Sequence, residues 1–160
     1  ERFEWLSDLG GKIHRVDGGK ERSDSVNAGL AALNPDITHV AIHDGARPLV
    51  SPQSITATFE AAQKTGAAAL ARRVTETLKR SSPEGITTES VSRENLWIME
   101  TPQIFSRVLI KQAYQQVASG DAQITDEVSA LQLLGQGTTL VENAQPNPKI
   151  TVQADLDALG

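Results

Sequence analysis

Residues 38–48 read Thr-His-Val-Ala-Ile-His-Asp-Gly-Ala-Arg-Pro, and the predicted fold starts from this stretch. Its first five residues form a short β-branched run, which predicts a buried strand over Thr38–Ile42. Asp44 then lies at the carboxyl end of the strand, the edge where open α/β sheets bind ligands. Gly45 permits a sharp turn and a close approach to a ligand, and the proline that follows ends the strand. Arg47 offers a planar fork for phosphate or carboxylate.

The hexapeptide His43–Pro48 supports two interpretations. One acidic and one basic side chain at a strand tip suit a metal-bound phosphate. The same residues also suit an Asp-Gly turn with a local Asp–Arg pair. The hexapeptide alone does not decide between these two.

Composition narrows the class of protein. The 160 residues fit a single domain, the absence of Cys excludes a disulfide framework, and no run is apolar enough for a membrane span or signal peptide. With 15 Lys+Arg against 20 Asp+Glu, the net charge of -5 argues against a general nucleic-acid binder. We expect a soluble, cytoplasmic protein with no membrane partner, in which a few placed cations hold any anion.

Helices and strands alternate along the first half of the chain. The predicted elements are a helix end over Glu1–Leu9, a strand over Lys12–Val16, a helix capped by Ser23 or Asp24, a helix over about Pro52–Lys64 and a buried strand over Gly66–Ala71. This order predicts a parallel, layered α/β sheet.

A glycine turn over Asp17–Ser25 precedes the first of these helices. Free N–H groups at such a helix start suit an anion or a polar ring. The alternative is an ordinary connecting loop with no binding role. For this segment alone, the lack of a GxGxxG or Walker pattern favours the ordinary loop.

A polar segment interrupts the alternation from Val74 to Ser92, with a turn at Ser81–Gly85. We predict a two-stranded hairpin, and one with so little apolar content needs a partner surface. A floppy surface loop is the alternative.

The chain then returns to the core. Further predicted elements are a core segment over Leu96–Phe105, a helix capped by Ser106, a helix after Asp126 and Glu127 with Val128, Leu131 and Leu134 buried, strands over Thr138–Glu142 and Lys149–Val152, and a helix from Asp155. Asp126 and Glu127 are interpreted as cap and dipole partners of their helix.

Seven ordered motifs resemble the 2-C-methyl-D-erythritol 4-phosphate cytidylyltransferase family. They are Asp-Gly-Gly-x-x-Arg-x-x-Ser-Val (17–26), His-Asp-x-Ala-Arg-Pro (43–48), Thr-x-Lys-Arg (77–80), Arg-x-x-Leu-Trp (93–97), Thr-Pro-Gln-x-Phe (101–105), Ile-Thr-Asp-Glu-x-Ser-Ala (124–130) and Pro-Lys-Ile-Thr (148–151). Single motifs are weak, but their shared order and spacing over about Val16–Asp155 make a strong signal.

The resemblance implies a fold and an activity. The fold is a Rossmann-like layered α/β nucleotidyltransferase sheet with a protruding β-arm, in one domain over residues 1–160. The activity is transfer of CMP from CTP to 2-C-methyl-D-erythritol 4-phosphate with magnesium, releasing pyrophosphate, in the non-mevalonate isoprenoid pathway. Such enzymes are typically homodimers, here through an arm over about residues 75–93, and a plastid location applies if the source is eukaryotic.

The resemblance also implies residue roles. Asp44, Arg93 and Lys149 would be catalytic, and Asp44 would hold the metal. The nucleotide would contact Gly18, Gly19, Ser25, Asp44 and Gly45. The sugar phosphate would contact Arg47, Thr77, Arg93, Thr101, Thr125 and Lys149. Without the resemblance, Lys149 is an exposed strand cation, Arg93 a solvated residue and the threonines ordinary strand formers.

Two departures from the family pattern stand out. The chain starts at Glu1 and lacks the Gly-rich loop with the Arg and Lys that grip the triphosphate, so we expect a truncated, inactive fragment. Pro148 replaces an aliphatic residue before Lys149 and cannot donate a ladder hydrogen bond. A pentitol-phosphate cytidylyltransferase, such as one for ribitol 5-phosphate, and a non-catalytic domain of the same fold are the competing hypotheses.

Overall fold

The computed structural model describes residues 13–119 and 124–159. Its contacts divide the chain into two compact units, Glu1–Ile37 and Thr38–Gly160. The predicted helix end at Glu1–Leu9 lies outside the described residues. None of the helices within them is long and apolar enough to cross a membrane.

The first unit contains helix α1, Arg22–Ala31. The helix begins after Glu21, because Asp24 Oδ2 accepts the Glu21 N–H at 3.0 Å from the third helical position. The prediction that Ser23 or Asp24 is the cap was therefore wrong by two or three residues. The predicted strand at 12–16 was also wrong over its described part, since residues 13–16 have no regular secondary structure. Ile13 and Val16, the apolar residues of this stretch, are 44% and 41% exposed and so gain little from burial where they lie.

The second unit contains a four-stranded sheet and a separate two-stranded sheet. Its elements are β1 (His39–Ile42), α2 (Pro52–Thr65), β2 (Ala67–Arg73), β3 (Leu78–Ser81), β4 (Thr87–Val91), β5 (Trp97–Ser106), α3 (Arg107–Ala118), α4 (Glu127–Gln132), β6 (Thr139–Glu142) and α5 (Gln153–Asp157).

The larger sheet has the strand order β1-β5-β2-β6 and is mixed. Strand β5 is antiparallel to both neighbours, while β2 and β6 are parallel. The prediction of a parallel sheet was therefore wrong for β5. The chain enters β5 from the hairpin that follows β2, and a connection without a crossover helix returns the chain antiparallel.

Helix α2 and strand β2 confirm their predictions closely. Ser51 caps α2 by accepting the Ser54 N–H at 3.1 Å, and Gly66 ends it at φ +84°. The five residues Ala67–Ala71 are fully buried. Small side chains on this strand let the helix come close, so that Ala62 packs against Ala68 and Ile104.

Strand β5 contains an irregularity that bears on the site. Ala69 pairs with Gln103, but Ala71 pairs with Met99, so residues 100–102 fall outside the regular ladder. Pro102, which would remove a ladder hydrogen bond from a central strand, lies in this bulge, after a cis peptide bond. Bulges of this kind re-aim side chains, here those of Glu100 and Thr101.

Strands β3 and β4 form the predicted hairpin. Its turn is closed by the Ser82 N–H, which donates to the Ile86 carbonyl at 2.9 Å. Arg80 and Glu89 pair across the strands at 3.1 Å, and both are exposed. The prediction of a hairpin is therefore confirmed, and the alternative of an unstructured surface loop is excluded. Residues 75–93, which contain this hairpin, are called the arm below.

The chain after β6 differs from the prediction. Residues 149–152 form no strand, because the prolines at 146 and 148 lack donors and Ile150 instead donates its N–H to the Ala46 carbonyl at 2.8 Å. Pro148 therefore costs no ladder bond. Helix α5 begins at Gln153, with Asp155 as its third residue. Of the other predicted cap residues, Ser106 and Asp126 do cap α3 and α4.

Candidate active site

Asp44 lies just after β1 and faces two cations. Lys149 Nζ is 3.1 Å from Asp44 Oδ2, and Arg47 Nε is 3.6 Å from the same oxygen. The side chains of Asp44 and Arg47 are 14% and 12% exposed, whereas that of Lys149 is 45% exposed. The ammonium group is therefore the part of this cluster most open to an incoming anion, and two cations against one carboxylate leave the cluster net positive.

His43 and Thr101 fix the backbone at Asp44. His43 Nε2 lies 3.0 Å from the Arg47 carbonyl, which can only accept, so this nitrogen carries the proton in the neutral imidazole. His43 Nδ1 then accepts from Thr101 Oγ1 at 2.9 Å, and Thr101 Oγ1 accepts the Asp44 N–H at 3.0 Å. Because its one proton is committed to His43, the Thr101 hydroxyl has only acceptor capacity left, and the residue is 4% exposed.

Arg47 joins this loop to the segment that carries Lys149. Its Nη1 donates to the Asn147 carbonyl at 2.7 Å. Asn147 is 5% exposed, and its Nδ2 donates to the Thr101 carbonyl at 3.0 Å and to Glu100 Oε2 at 3.0 Å. The site is thus assembled from the loop after β1, the bulge of β5 and the irregular segment after β6.

Glu100 is a buried charge that the sequence reasoning missed. It is 3% exposed, and its Oε2 also accepts from Asn143 Nδ2 at 2.9 Å. Arg72 Nε lies 3.6 Å from its other oxygen. The available signal was an acid within the bulky run 96–105, because a charge in a core strand needs buried partners.

A cavity of about 430 Å³ adjoins this network. Three cations line it, namely Arg47, Arg72 and Lys149, together with Glu100 and the segment 145–148. A cavity with this lining suits an anionic ligand with several polar groups.

Two predicted ligand residues lie at the base of the arm. Arg93 donates from Nη1 to the Thr75 carbonyl, and Thr77 is exposed immediately before β3. Just before Thr77, hydrogen bonds from its own backbone and from Thr75 lower the pKa of Glu76. Arg93 is therefore held to the segment that connects β2 to β3.

Thr125 lies at the start of α4, where its hydroxyl is 3.1 Å from Ser129 Oγ. Asp126 caps that helix by accepting the Ser129 N–H at 2.9 Å, as predicted. Its other oxygen accepts from Gln103 Nε2 at 3.0 Å. Glu127 lies in the first turn of the helix, where an acid suits the dipole, and it is also fully buried and accepts from the Tyr114 hydroxyl at 3.0 Å.

Gly18, Gly19 and Ser25 lie together in the first unit. The Gly19 N–H donates to Ser25 Oγ at 3.1 Å, so this hydroxyl closes the turn. A Cβ at Gly19 would stand 2.1 Å from the Asp24 Cβ, and one at Gly18 would stand 2.7 Å from Ser25 Oγ. The turn therefore requires glycine because it lies against the first turn of α1.

Gly45 has a different environment. No atom lies within 4 Å of the position a Cβ would take, and its φ is not positive. The turn itself therefore does not need glycine, in contrast to the sequence interpretation. The open space beside Asp44 remains available to a ligand.

The donor set suits a metal that binds mainly through a ligand's phosphates. Among residues 13–119 and 124–159, no group of three or more His, Cys, Asp or Glu side chains is placed to hold an ion. Magnesium is often bound by one or two carboxylates plus substrate phosphates, and the lone carboxylate of Asp44 fits that pattern.

Solved structures share this fold. The synthase of 4-diphosphocytidyl-2C-methyl-D-erythritol from Anaerococcus prevotii matches with a TM-score of 0.87 and 28% identity, over 96% of this chain and 68% of that one. The 2-C-methyl-D-erythritol 4-phosphate cytidylyltransferase from Thermus thermophilus matches with a TM-score of 0.83 and 31% identity, over 93% and 75%. The fold is therefore that of an α/β nucleotidyltransferase, as predicted.

Sequence comparison gives the family. The model of the 2-C-methyl-D-erythritol 4-phosphate cytidylyltransferase family matches residues 1–159. Relatives of that name from Pelotomaculum thermopropionicum and Halalkalibacterium halodurans are 43% and 44% identical over 141 residues, 88% of this chain. The chain belongs to this family. It spans 59% and 61% of the length of these two relatives.

Proposed function

We propose that the full-length protein transfers CMP from CTP to 2-C-methyl-D-erythritol 4-phosphate and releases pyrophosphate. Family membership supports the reaction class. The observation that carries the proposal for this chain is the approach of Lys149 and Arg47 to one oxygen of Asp44 at a strand tip. The reaction brings an anionic phosphate against a polyanion, so fixed positive charge supplies much of the acceleration.

The transfer forms one bond and breaks one bond. A phosphate oxygen of the sugar alcohol attacks the α-phosphorus of CTP, the bond from that phosphorus to the β-phosphate oxygen breaks, and pyrophosphate leaves. We assign Lys149 to the phosphate of the acceptor, because its side chain is nearly half exposed while Asp44 fixes its direction. Arg47, largely buried, holds the carboxylate and the Asn147 backbone.

Asp44 would hold a divalent cation, with the remaining ligands supplied by phosphate oxygens. When bound, such an ion neutralises charge on the nucleotide phosphates. The same carboxylate directs Lys149, which we assign to the acceptor phosphate. Asp44 therefore serves both the nucleotide and the acceptor.

Hydroxyl and arm residues complete the proposal. Thr101 accepts from a hydroxyl of the sugar alcohol, since its own proton is donated to His43. Thr77, Thr125 and Arg93 are proposed acceptor contacts, and Gly18, Gly19, Ser25 and Gly45 are proposed nucleotide contacts. The arm is proposed to pair with the arm of a second copy, because an exposed hairpin of two short strands is marginal alone.

The test is a direct assay on the full-length protein with magnesium, CTP and 2-C-methyl-D-erythritol 4-phosphate. We expect pyrophosphate release together with a cytidine diphosphate product identified by mass spectrometry. Ribitol 5-phosphate serves as the matched acceptor control. Turnover with ribitol 5-phosphate but not with 2-C-methyl-D-erythritol 4-phosphate would show that the proposed acceptor is wrong. No turnover with either acceptor would indicate a non-catalytic member of the family.

A further inference from the structure

Glu100 is a charged residue that the proposed reaction does not use directly. Its carboxylate is 3% exposed in a strand whose neighbours are core residues. Burying a carboxylate is unfavourable unless it is paired and hydrogen-bonded. Both hydrogen bonds to its Oε2 come from the segment after β6, which indicates what the charge is for.

One oxygen of Glu100 holds both ends of a short segment. Oε2 accepts from Asn143 Nδ2 at 2.9 Å and from Asn147 Nδ2 at 3.0 Å. Residues 143–147 have no regular secondary structure. The Asn143 N–H still donates to the Ala71 carbonyl at 2.8 Å, so it is the path beyond residue 143 that no strand pairing fixes. Hydrogen bonds to a charged acceptor are stronger than neutral ones, which suits a single atom fixing a loop.

The fixed segment leads directly to the cations. The Asn147 carbonyl accepts from Arg47 Nη1 at 2.7 Å, and Lys149, two residues later, reaches Asp44 at 3.1 Å. A displacement of Asn147 therefore moves the anchor of Arg47 and the origin of the Lys149 side chain together. Arg72 Nε lies 3.6 Å from Glu100 Oε1 and offsets its charge, but Arg72 is not part of the connection from Glu100 through Asn147 to Lys149.

We propose that Glu100 is a positioning residue, whose carboxylate holds Asn143 and Asn147 so that Lys149 and Arg47 converge on Asp44. The proposal rests on the transfer reaction proposed above and deepens it. It assigns the buried charge to the acceptor-phosphate end of the site.

The test compares Glu100→Leu with Glu100→Gln in the full-length protein. Glu100→Leu removes the acceptor, and we expect the KM for 2-C-methyl-D-erythritol 4-phosphate to rise about tenfold while the KM for CTP stays near wild type. Glu100→Gln keeps an acceptor oxygen, and we expect it to restore the acceptor KM to within about threefold. A purely structural role would instead lower kcat through the folded fraction and leave both KM values unchanged.

A matched control is available on the same sheet. Arg73 and Glu142 form a second Arg–Glu pair, at 3.4 Å, but both side chains are more than half exposed. Glu142→Leu removes an acidic side chain and leaves the hydrogen bonds from Asn143 and Asn147 to Glu100 in place. We expect no change in either KM.

A mutant cycle shows whether Glu100 acts through Lys149. In a Lys149→Ala background, Glu100→Leu should raise the acceptor KM no further, because the group it positions is gone. Independent, additive effects would overturn the proposal, as would a wild-type acceptor KM in Glu100→Leu. Should that variant fail to fold, Asn143→Ala removes one of the two donors, and an unchanged KM there overturns the proposal as well. Wild-type turnover in the same assay separates any such failure from a failure of the proposed function.

Discussion

Arg47 donates a hydrogen bond to the backbone carbonyl of Asn147, which lies 100 residues further along the chain. The bond joins two segments that have no regular secondary structure, the loop after β1 and the segment after β6. The guanidinium fork also reaches Asp44 through Nε, so one side chain relates the carboxylate to the segment that carries Lys149. A lysine in place of Arg47 has a single side-chain nitrogen, so it lacks the fork geometry with which Arg47 approaches Asn147 through Nη1 and Asp44 through Nε.

Asp44→Asn should leave CTP binding largely in place while lowering turnover about a hundredfold or more, since a charge-organising group is lost. The amide is nearly isosteric, but it no longer pairs with Lys149 and Arg47. Steady-state kinetics on the full-length protein and a CTP titration measure the two effects. Glu142→Gln, which neutralises an exposed carboxylate, is the control. Turnover within about threefold of wild type would remove Asp44 from the mechanism.

Replacing residues 76–91 with a short Gly-Ser link should give a monomer that no longer binds 2-C-methyl-D-erythritol 4-phosphate but still binds CTP. The proposed dimer pairs arm with arm, and we further propose that this pairing brings Arg93, at the base of one arm, to the acceptor bound by the other copy. Sedimentation and titration measure the outcome. Glu89→Gln, which loses only the exposed pair with Arg80, should remain dimeric. A deletion variant that stays dimeric and binds the acceptor normally contradicts the prediction.

Ser51→Ala should lower the free energy of unfolding by about 1 kcal/mol, as expected for the loss of an N-cap. The Ser54 N–H at the start of α2 then loses its acceptor. Thr56→Ala on the same helix is the contrast, because its hydroxyl only bonds back to the Pro52 carbonyl and alanine favours a helix. Denaturant unfolding should rank Ser51→Ala below wild type and Thr56→Ala at or above it. The reverse order would show that the cap is not contributing.

Asp155→Asn should destabilise the protein at neutral pH and have progressively less effect in acid. Hydrogen bonds from the Thr151 backbone, then from the Val152 backbone and the Thr151 hydroxyl, lower the pKa of Asp155. A lowered folded-state pKa means that the stabilisation is present above the unfolded pKa of about 3.9 and disappears as pH falls through the folded value. Unfolding of both proteins between neutral pH and pH about 3 measures the difference. A difference that does not change with pH contradicts this.

Local signals in the sequence were sufficient for much of the fold. Ser51-Pro52 predicted the start of α2, and the polar run around Ser81–Gly85 predicted the hairpin. Each of these features is set by residues a few positions apart. The antiparallel entry of β5 was missed because it depends on which strand the chain pairs with after the hairpin, and pairing is not a local property.

The candidate site shows the same division. Asp44 and Arg47 were found because they share one hexapeptide, and Thr101 and Lys149 through family motifs. Glu100 and its asparagine partners are separated by more than 40 residues along the chain. Only the folded chain brings them together, so a lone acid in a strand motif carried too little information to name its partners. The irregular path after β6 was missed for a related reason, because tertiary hydrogen bonds replace a ladder there.

The arm begins and ends at one place on the body. The Val74 N–H, just after β2, donates to the carbonyl of Leu96, just before β5, at 3.1 Å. Arg73, the residue before Val74, stacks on the Trp97 ring with 4.3 Å from its guanidinium carbon to the ring centroid. A side-chain contact therefore joins the two ends of the arm in addition to the backbone hydrogen bond. The hairpin is consequently an insertion whose two ends are held together by contacts within the larger sheet. A longer, shorter or unrelated hairpin inserted between Val74 and Leu96 would change the length of the arm while leaving the pairing of β2 with β5 in register.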